Sequence, residues 1–363
     1  AETQVETKTK PSSPKELFTF EAGDREILVN YHDETIAAKV SSQAMSLASP
    51  VWRKFVSPPW QSPPQPEEDS VADSGYQSGS EAAAADASVE ANKQQQLDFT
   101  DDNGNALLIL LNIAHLKFAR VPSKLAYNQL LNVAILVDQY DCGELVRPWL
   151  KSWLEDEESQ SQIDGQENWL FIAWVFGRED VFEKLARTMV RNVSIGSDGG
   201  PRSPAFKAIT QPMPSDILDR ILATRLEIIE KLLEIPYHEI SLVDNDEPGC
   251  KEPREREACD ALIYGSLTRP LSHANLWPRK PAAEVLMSAT ELKSTLESIT
   301  IYHMMHVDQS GRTKVHQKCL VVSEFKAKIS RALSSIPCLA NDSDREYMKL
   351  RRSRLGISEN GDL

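Results

Sequence analysis

The chain is short of several things that would advertise a function. Its five cysteines are an odd number in 363 residues, which argues against the disulfide framework of a small secreted protein and fits a reducing compartment. Long apolar runs are missing: the best, residues 106–114 (ALLILLNIA), is nine residues long, about half of the roughly 18–20 that a membrane span needs. Positive charge is scarce, with 40 Lys and Arg against 54 Asp and Glu and a net charge of −14. That balance argues against a nucleic-acid surface over the whole molecule. The opening AETQVETKTKPSSPKE has no apolar core of the kind a signal peptide carries. The expectation is a cytoplasmic or nuclear protein that touches neither membrane nor nucleic acid directly. Enzyme signatures are also lacking. There is no G-x-x-x-x-G-K-[ST] to cradle phosphates, no G-x-G-x-x-G after a strand, no H-E-x-x-H and no G-x-S-x-G elbow. A non-catalytic protein is expected.

What is present suggests roughly two domains, given 40.6 kDa. Residues 1–15 are polar and read as a disordered lead. From Leu17 the runs LFTF, REILVN and TIAAKV, separated by EAGD and YHDE, read as three short strands. Ser42 opens SQAMSLASPVWRKF, two short helices broken at Pro50. Residues 57–96 then turn rich in Pro, Ser, Ala, Gln and acid. From Ser57 to Asp98 there are eight acidic residues against one lysine, half the net charge, and too little apolar area to offset ordering. A disordered acidic insert is expected there. Next come a short strand at LDF and helices at NALLILLNIAHLK, AYNQLLNVAILVDQYDC and ELVRPWLKSWLED, with Pro148 placed near the first turn of the last. Farther on, helices are expected over 167–176, 179–193, 215–235 (ended by Pro236), 259–271, 282–299 and 321–335, with a polar, basic segment at 341–363.

The order of elements, with GDREILVN…TIAAKVSSQAMSLASPVWRKF, resembles the BTB/POZ domain. The matching positions are Gly23, Asp24, Val40, Ser42, Met45, Ser49, Pro50, Val51 and Trp52. In the helical half the resemblance rests on Ala134, Asp138, Tyr140, Asp141 and Cys142, and with Arg147–Trp149 it is similar to the fungal branch of the family. It covers residues 16–156 less the insert. The resemblance implies an α+β domain, a small sheet with a helical cluster, followed by an all-α C-terminal region over 165–340. It also implies protein partners, a possible homodimer, and Met45, Leu47, Val51 and Trp52 as core or interaction surface. Members that act as substrate adaptors for cullin ubiquitin ligases carry a hydrophobic–x–Glu contact after the second helix. Here Phe55 and Val56 run into SPPWQSPP with no Glu at that spacing, so an oligomerising scaffold is the favoured reading and the adaptor the alternative.

Two constellations could carry chemistry. Cys250 and Cys259, His303 and His306, and His316 and Cys319 fall within 70 residues. Zinc takes four soft or borderline donors in a tetrahedron, and Cys250, Cys259, His316 and Cys319 make such a set, either for a structural zinc or for a zinc-dependent enzyme. The C-x8-C spacing is wider than usual, and buried cysteines also serve as plain core. In the acidic insert, Asp73-Ser74-Gly75-Tyr76-Gln77-Ser78 looks like a phosphodegron, with Ser74 and Ser78 as acceptors. The basic run Lys349, Arg351, Arg352, Arg354 is either an anionic-surface patch or a solvated helix end.

Overall fold

The computed structural model describes residues 13–57, 96–244, 250, 256–307, 310–316, 319 and 322–358. The insert reading and Ser74 and Ser78 therefore lie outside the described residues, as does most of the N-terminal lead. The fold is mixed α/β with a small sheet and mostly helices, including the C-terminal region. The chain divides into two compact units. One holds the residues up to Asp156, Val175–Gly177 and those from Met348 on; the other holds Glu157–Trp174 and Arg178–Tyr347.

In the first unit, β1 (Arg25–Tyr31) and β2 (Glu34–Val40) form an antiparallel hairpin with Val29 opposite Ile36. The turn residues His32 and Asp33 both have positive φ, the primed-turn geometry that matches strand twist. Alternation buries Ile27, Val29, Ile36, Ala38 and Val40 on one face. β3 (Gln96–Phe99) pairs parallel to β1, giving the order β2-β1-β3. The expected strand at LFTF is absent. Pro14 instead starts a helix, Pro14–Phe18, and Phe20 makes one backbone bond to Lys39, too few for a ladder. The core is carried by helix Gly104–Ala114, which buries Ala106, Leu107, Ile109, Leu110, Leu111 and Ile113. It lies so close to the sheet that a Cβ on Gly104 would sit 2.3 Å from the Asn30 carbonyl oxygen, so only glycine fits.

Helices Ser42–Ala48 and Pro50–Val56 are set by caps. The Ser41 hydroxyl accepts from Ala44 N–H, and the Ser49 hydroxyl accepts from Val51 and Trp52 N–H. Asp24 accepts from the Ser42 N–H at 2.6 Å and from its hydroxyl at 2.5 Å, and these bonds hold its carboxyl below the usual range. His115 stacks on Phe20 at 4.0 Å, accepts at Nε2 from Ser41 N–H, and donates from Nδ1 to the Leu111 carbonyl. Acceptance at Nε2 needs the neutral ring, and burial lowers its proton affinity against the opposing pull of the Leu111 bond. In helix Gly143–Trp153, Pro148 lies inside rather than in the first turn. It is tolerated because Pro148 and Glu144, whose carbonyl loses its partner, are both exposed.

The basic C-terminal run is not a free patch. It belongs to helix Asp342–Leu355. Arg351 is 6% exposed and reaches Asp138 at 2.7 Å and Asp141 at 2.8 Å; Arg354 reaches Asp141 at 3.0 Å. Arg351 thus balances the two carboxylates of the DQYDC stretch from the interior, whereas Lys349 and Arg354 stay exposed, as at a solvated helix end.

The second unit centres on helix Ile217–Asp244. It continues through Pro236, where a stop was expected, because its apolar stripe (Ile228, Leu232) goes on through Tyr237 and Ile240. The expected helix over 282–299 is a 3-10 turn, Ala282–Glu284, and a helix, Ala289–Glu297, restarted by a Ser288–Glu291 capping box. Helices Arg256–His273 and Val322–Ser334 complete this part. Two short hairpins that periodicity did not signal interrupt the helices: Ser194–Ile195 with Pro201–Arg202, and Met305–Val307 with Thr313–Val315.

Candidate metal centre

Cys259 sits in the first turn of helix Arg256–His273, which holds its backbone rigid. His316 directly follows the strand Thr313–Val315, and its N–H bonds to the Met304 carbonyl, so the hairpin aims its ring. Cys319 lies in the turn after it, its N–H bonded to the His316 carbonyl. Cys250 belongs to neither helix nor strand.

The ligand atoms of Cys250, Cys259, His316 and Cys319 all lie within 4.8 Å of one another. Cys250 Sγ is 3.4 Å from His316 Nδ1 and 3.5 Å from Cys319 Sγ. Tetrahedral zinc with ordinary bond lengths places two thiolates about 3.8 Å apart and a thiolate and an imidazole about 3.6 Å apart. The donor set is therefore of the right size as well as the right chemistry. Cys250, Cys259 and His316 are buried, and Cys319 is half-buried. Burial, reinforced by the neighbouring Cys250 and Cys319 sulfurs, pushes the Cys259 thiol up. Soft sulfur donors crowded in a buried site are what a cation stabilises as thiolates. His303 is not one of the four, and the side chain of His306 lies outside the described residues.

Of the remaining cysteines, Cys142 is buried and pushed up to about 12 by burial, an inert core thiol. Cys338 is exposed, donates to Glu183 and accepts from Arg345.

The four residues offered as core or interaction surface in the first unit are divided by the fold. Met45 and Trp52 are fully buried and serve as core. Val51 is half-buried, whereas Leu47 is 85% exposed. Leu47 stands at the rim of a cavity of about 620 Å³ that Ala48, Pro50, Leu145 and Leu355 also line, with Arg354 beside them.

Sequence reasoning missed Arg225. It is 1% exposed and donates to the carbonyls of Val193, Val285, Leu286 and Met287 at 2.7–3.3 Å. The signal was available: Arg225 is the lone cation on the stripe Ile221, Arg225, Ile228, Leu232, where helical spacing points inward. The pair of buried Tyr140 and half-buried Asp102, in which the phenol donates to the carboxylate, gave no such sign. Desolvation raises Asp102, and burial with the adjacent carboxylate raises Tyr140.

Among the described residues no helix is long and apolar enough to cross a membrane. Compared with protein-family models, curated proteins and solved structures, the chain finds no match.

Proposed function

We propose that this chain is a non-catalytic protein-interaction module: a BTB/POZ-like first unit that self-associates, joined to a helical second unit held by a structural zinc at Cys250, Cys259, His316 and Cys319. The observation that carries the first half is how the residues behind the resemblance are used. Asp24 caps the helix that begins at Ser42. The Ser49 hydroxyl caps the next helix and donates to the Tyr140 carbonyl at 2.5 Å, and the Trp52 ring packs 5.4 Å from that of Tyr140. Residues behind the resemblance that lie far apart in sequence, Ser49 and Trp52 with Tyr140, are thus in contact. The interaction half rests on Leu47, a large apolar side chain left in water on a helix that buries Met45.

Light scattering on the full chain tests it. A dimer near twice 40.6 kDa that Leu47→Glu converts to monomer at micromolar protein, with unchanged circular dichroism, supports the module. A wild-type monomer removes self-association. Zinc is tested apart from this: metal analysis of the reduced protein should give about one equivalent, lost in Cys259→Ser.

A further inference from the structure

The metal centre has an uneven build, and the unevenness points to chemistry beyond structural support. Two of its sulfurs, Cys250 and Cys319, are 3.5 Å apart, about 1.5 Å beyond the length of an S–S bond. Both belong to irregular backbone, Cys250 outside any element and Cys319 in a turn, so their Cβ atoms can adjust. Cys259 is different: it is fully buried and fixed in a helix. Cys319 alone among the four donors has appreciable solvent exposure. An oxidant from solvent therefore meets Cys319 first, and Cys250, 3.5 Å away and outside any helix, is the sulfur placed to answer.

Resting on the zinc reading above, we infer that the Cys250–Cys319 pair is a peroxide-sensitive modification site whose oxidation empties the centre. The Cys319 thiolate attacks hydrogen peroxide; the O–O bond breaks, leaving a sulfenic acid on Cys319 and releasing hydroxide. The Cys250 thiolate then attacks the Cys319 sulfur, the S–S bond forms, and the sulfenic oxygen departs as a second hydroxide. Two protons from solvent convert both hydroxides to water. The sulfurs lose two electrons and the peroxide gains two. Only Cys259 and His316 then remain as donors, too few to retain the ion.

The test uses the full reduced chain, carrying Cys338→Ser to silence the exposed cysteine outside the centre, treated with hydrogen peroxide. Release of about one zinc is read with a colorimetric chelator, and peptide mapping should find Cys250 linked to Cys319 with the loss of two hydrogens. Cys319→His keeps four donors but removes the reactive sulfur. It should hold zinc and release it at least about tenfold more slowly under peroxide. A reduced chain that takes up no zinc overturns the metal reading itself. A chain that holds about one zinc and keeps it under peroxide, or whose crosslink maps to Cys259, overturns this inference and leaves the structural zinc standing.

Discussion

The two units place their polar groups in opposite ways. In the first, polar side chains sit at the ends of elements: Ser41, Ser49 and Asn103 cap helices, and Asp24 ties a strand entry to a helix start. The interior is mostly apolar, from Ile27 and Val29 to Leu107, Leu110 and Trp52, with Asn112 and the ion-paired Arg351 as exceptions. In the second unit polar groups stand in the interior itself, as Arg225 and as the three cysteines and one histidine of the metal centre. A cap at the surface shares its task with water, whereas an interior donor has no substitute. Losses in the second unit should therefore be the larger ones.

The most severe test is metal removal. If the centre holds zinc as proposed, a chelator should accelerate hydrogen exchange in Arg256–His273 and in the hairpin Met305–Val307/Thr313–Val315, while β1 and β2 keep their protection. Equal exchange with and without chelator would mean the cluster is inert core. Next comes Arg225→Met, which leaves the carbonyls of Val193, Val285, Leu286 and Met287 without their donor. A loss of about 3–5 kcal/mol is expected from urea unfolding; under 1 kcal/mol, the contrast between units collapses. Asp24→Ala, at an edge, should cost about 1 kcal/mol. Because the native carboxyl of Asp24 is held below its ordinary range, its contribution is present above about pH 4 and fades as pH falls through the native value. The smallest effect is at His115. Its native proton affinity is lowered by burial, so below about pH 6.5 the unfolded chain binds the extra proton and stability falls with pH. His115→Gln should flatten that slope between the ordinary and the native value; an unchanged slope assigns it to another group.

How much of this was legible varies by the kind of signal. Helices with an apolar stripe, such as 322–334, were readable within a residue or so, and so was the strand pair 25–40 flanked by turn residues. The four candidate donors that the fold brings within 4.8 Å of one another could be named because Cys and His are few, although their spacing said nothing of their meeting. Misreadings share a cause. Pro236, Pro148 and the LFTF run were read by local rule, and packing overrode the rule: a continuing stripe past Pro236, an exposed face at Pro148, a helix start at Pro14.

The sequence by itself determined where capped, apolar-striped helices run, that no apolar run suffices for a membrane span, and which residue types could ligate zinc. These follow from side-chain period, from cap chemistry within three residues, and from composition. Tertiary structure alone decided that Cys250 would lie 3.4 Å from His316 and that Arg225 would bridge four carbonyls. It also decided that Arg351 would be buried against Asp138 and Asp141, and that Leu47 rather than Met45 would face water. Each of these joins or separates residues by the packing of whole elements. Over separations of 60 residues and more, no local preference sets a distance; the closing of the core does.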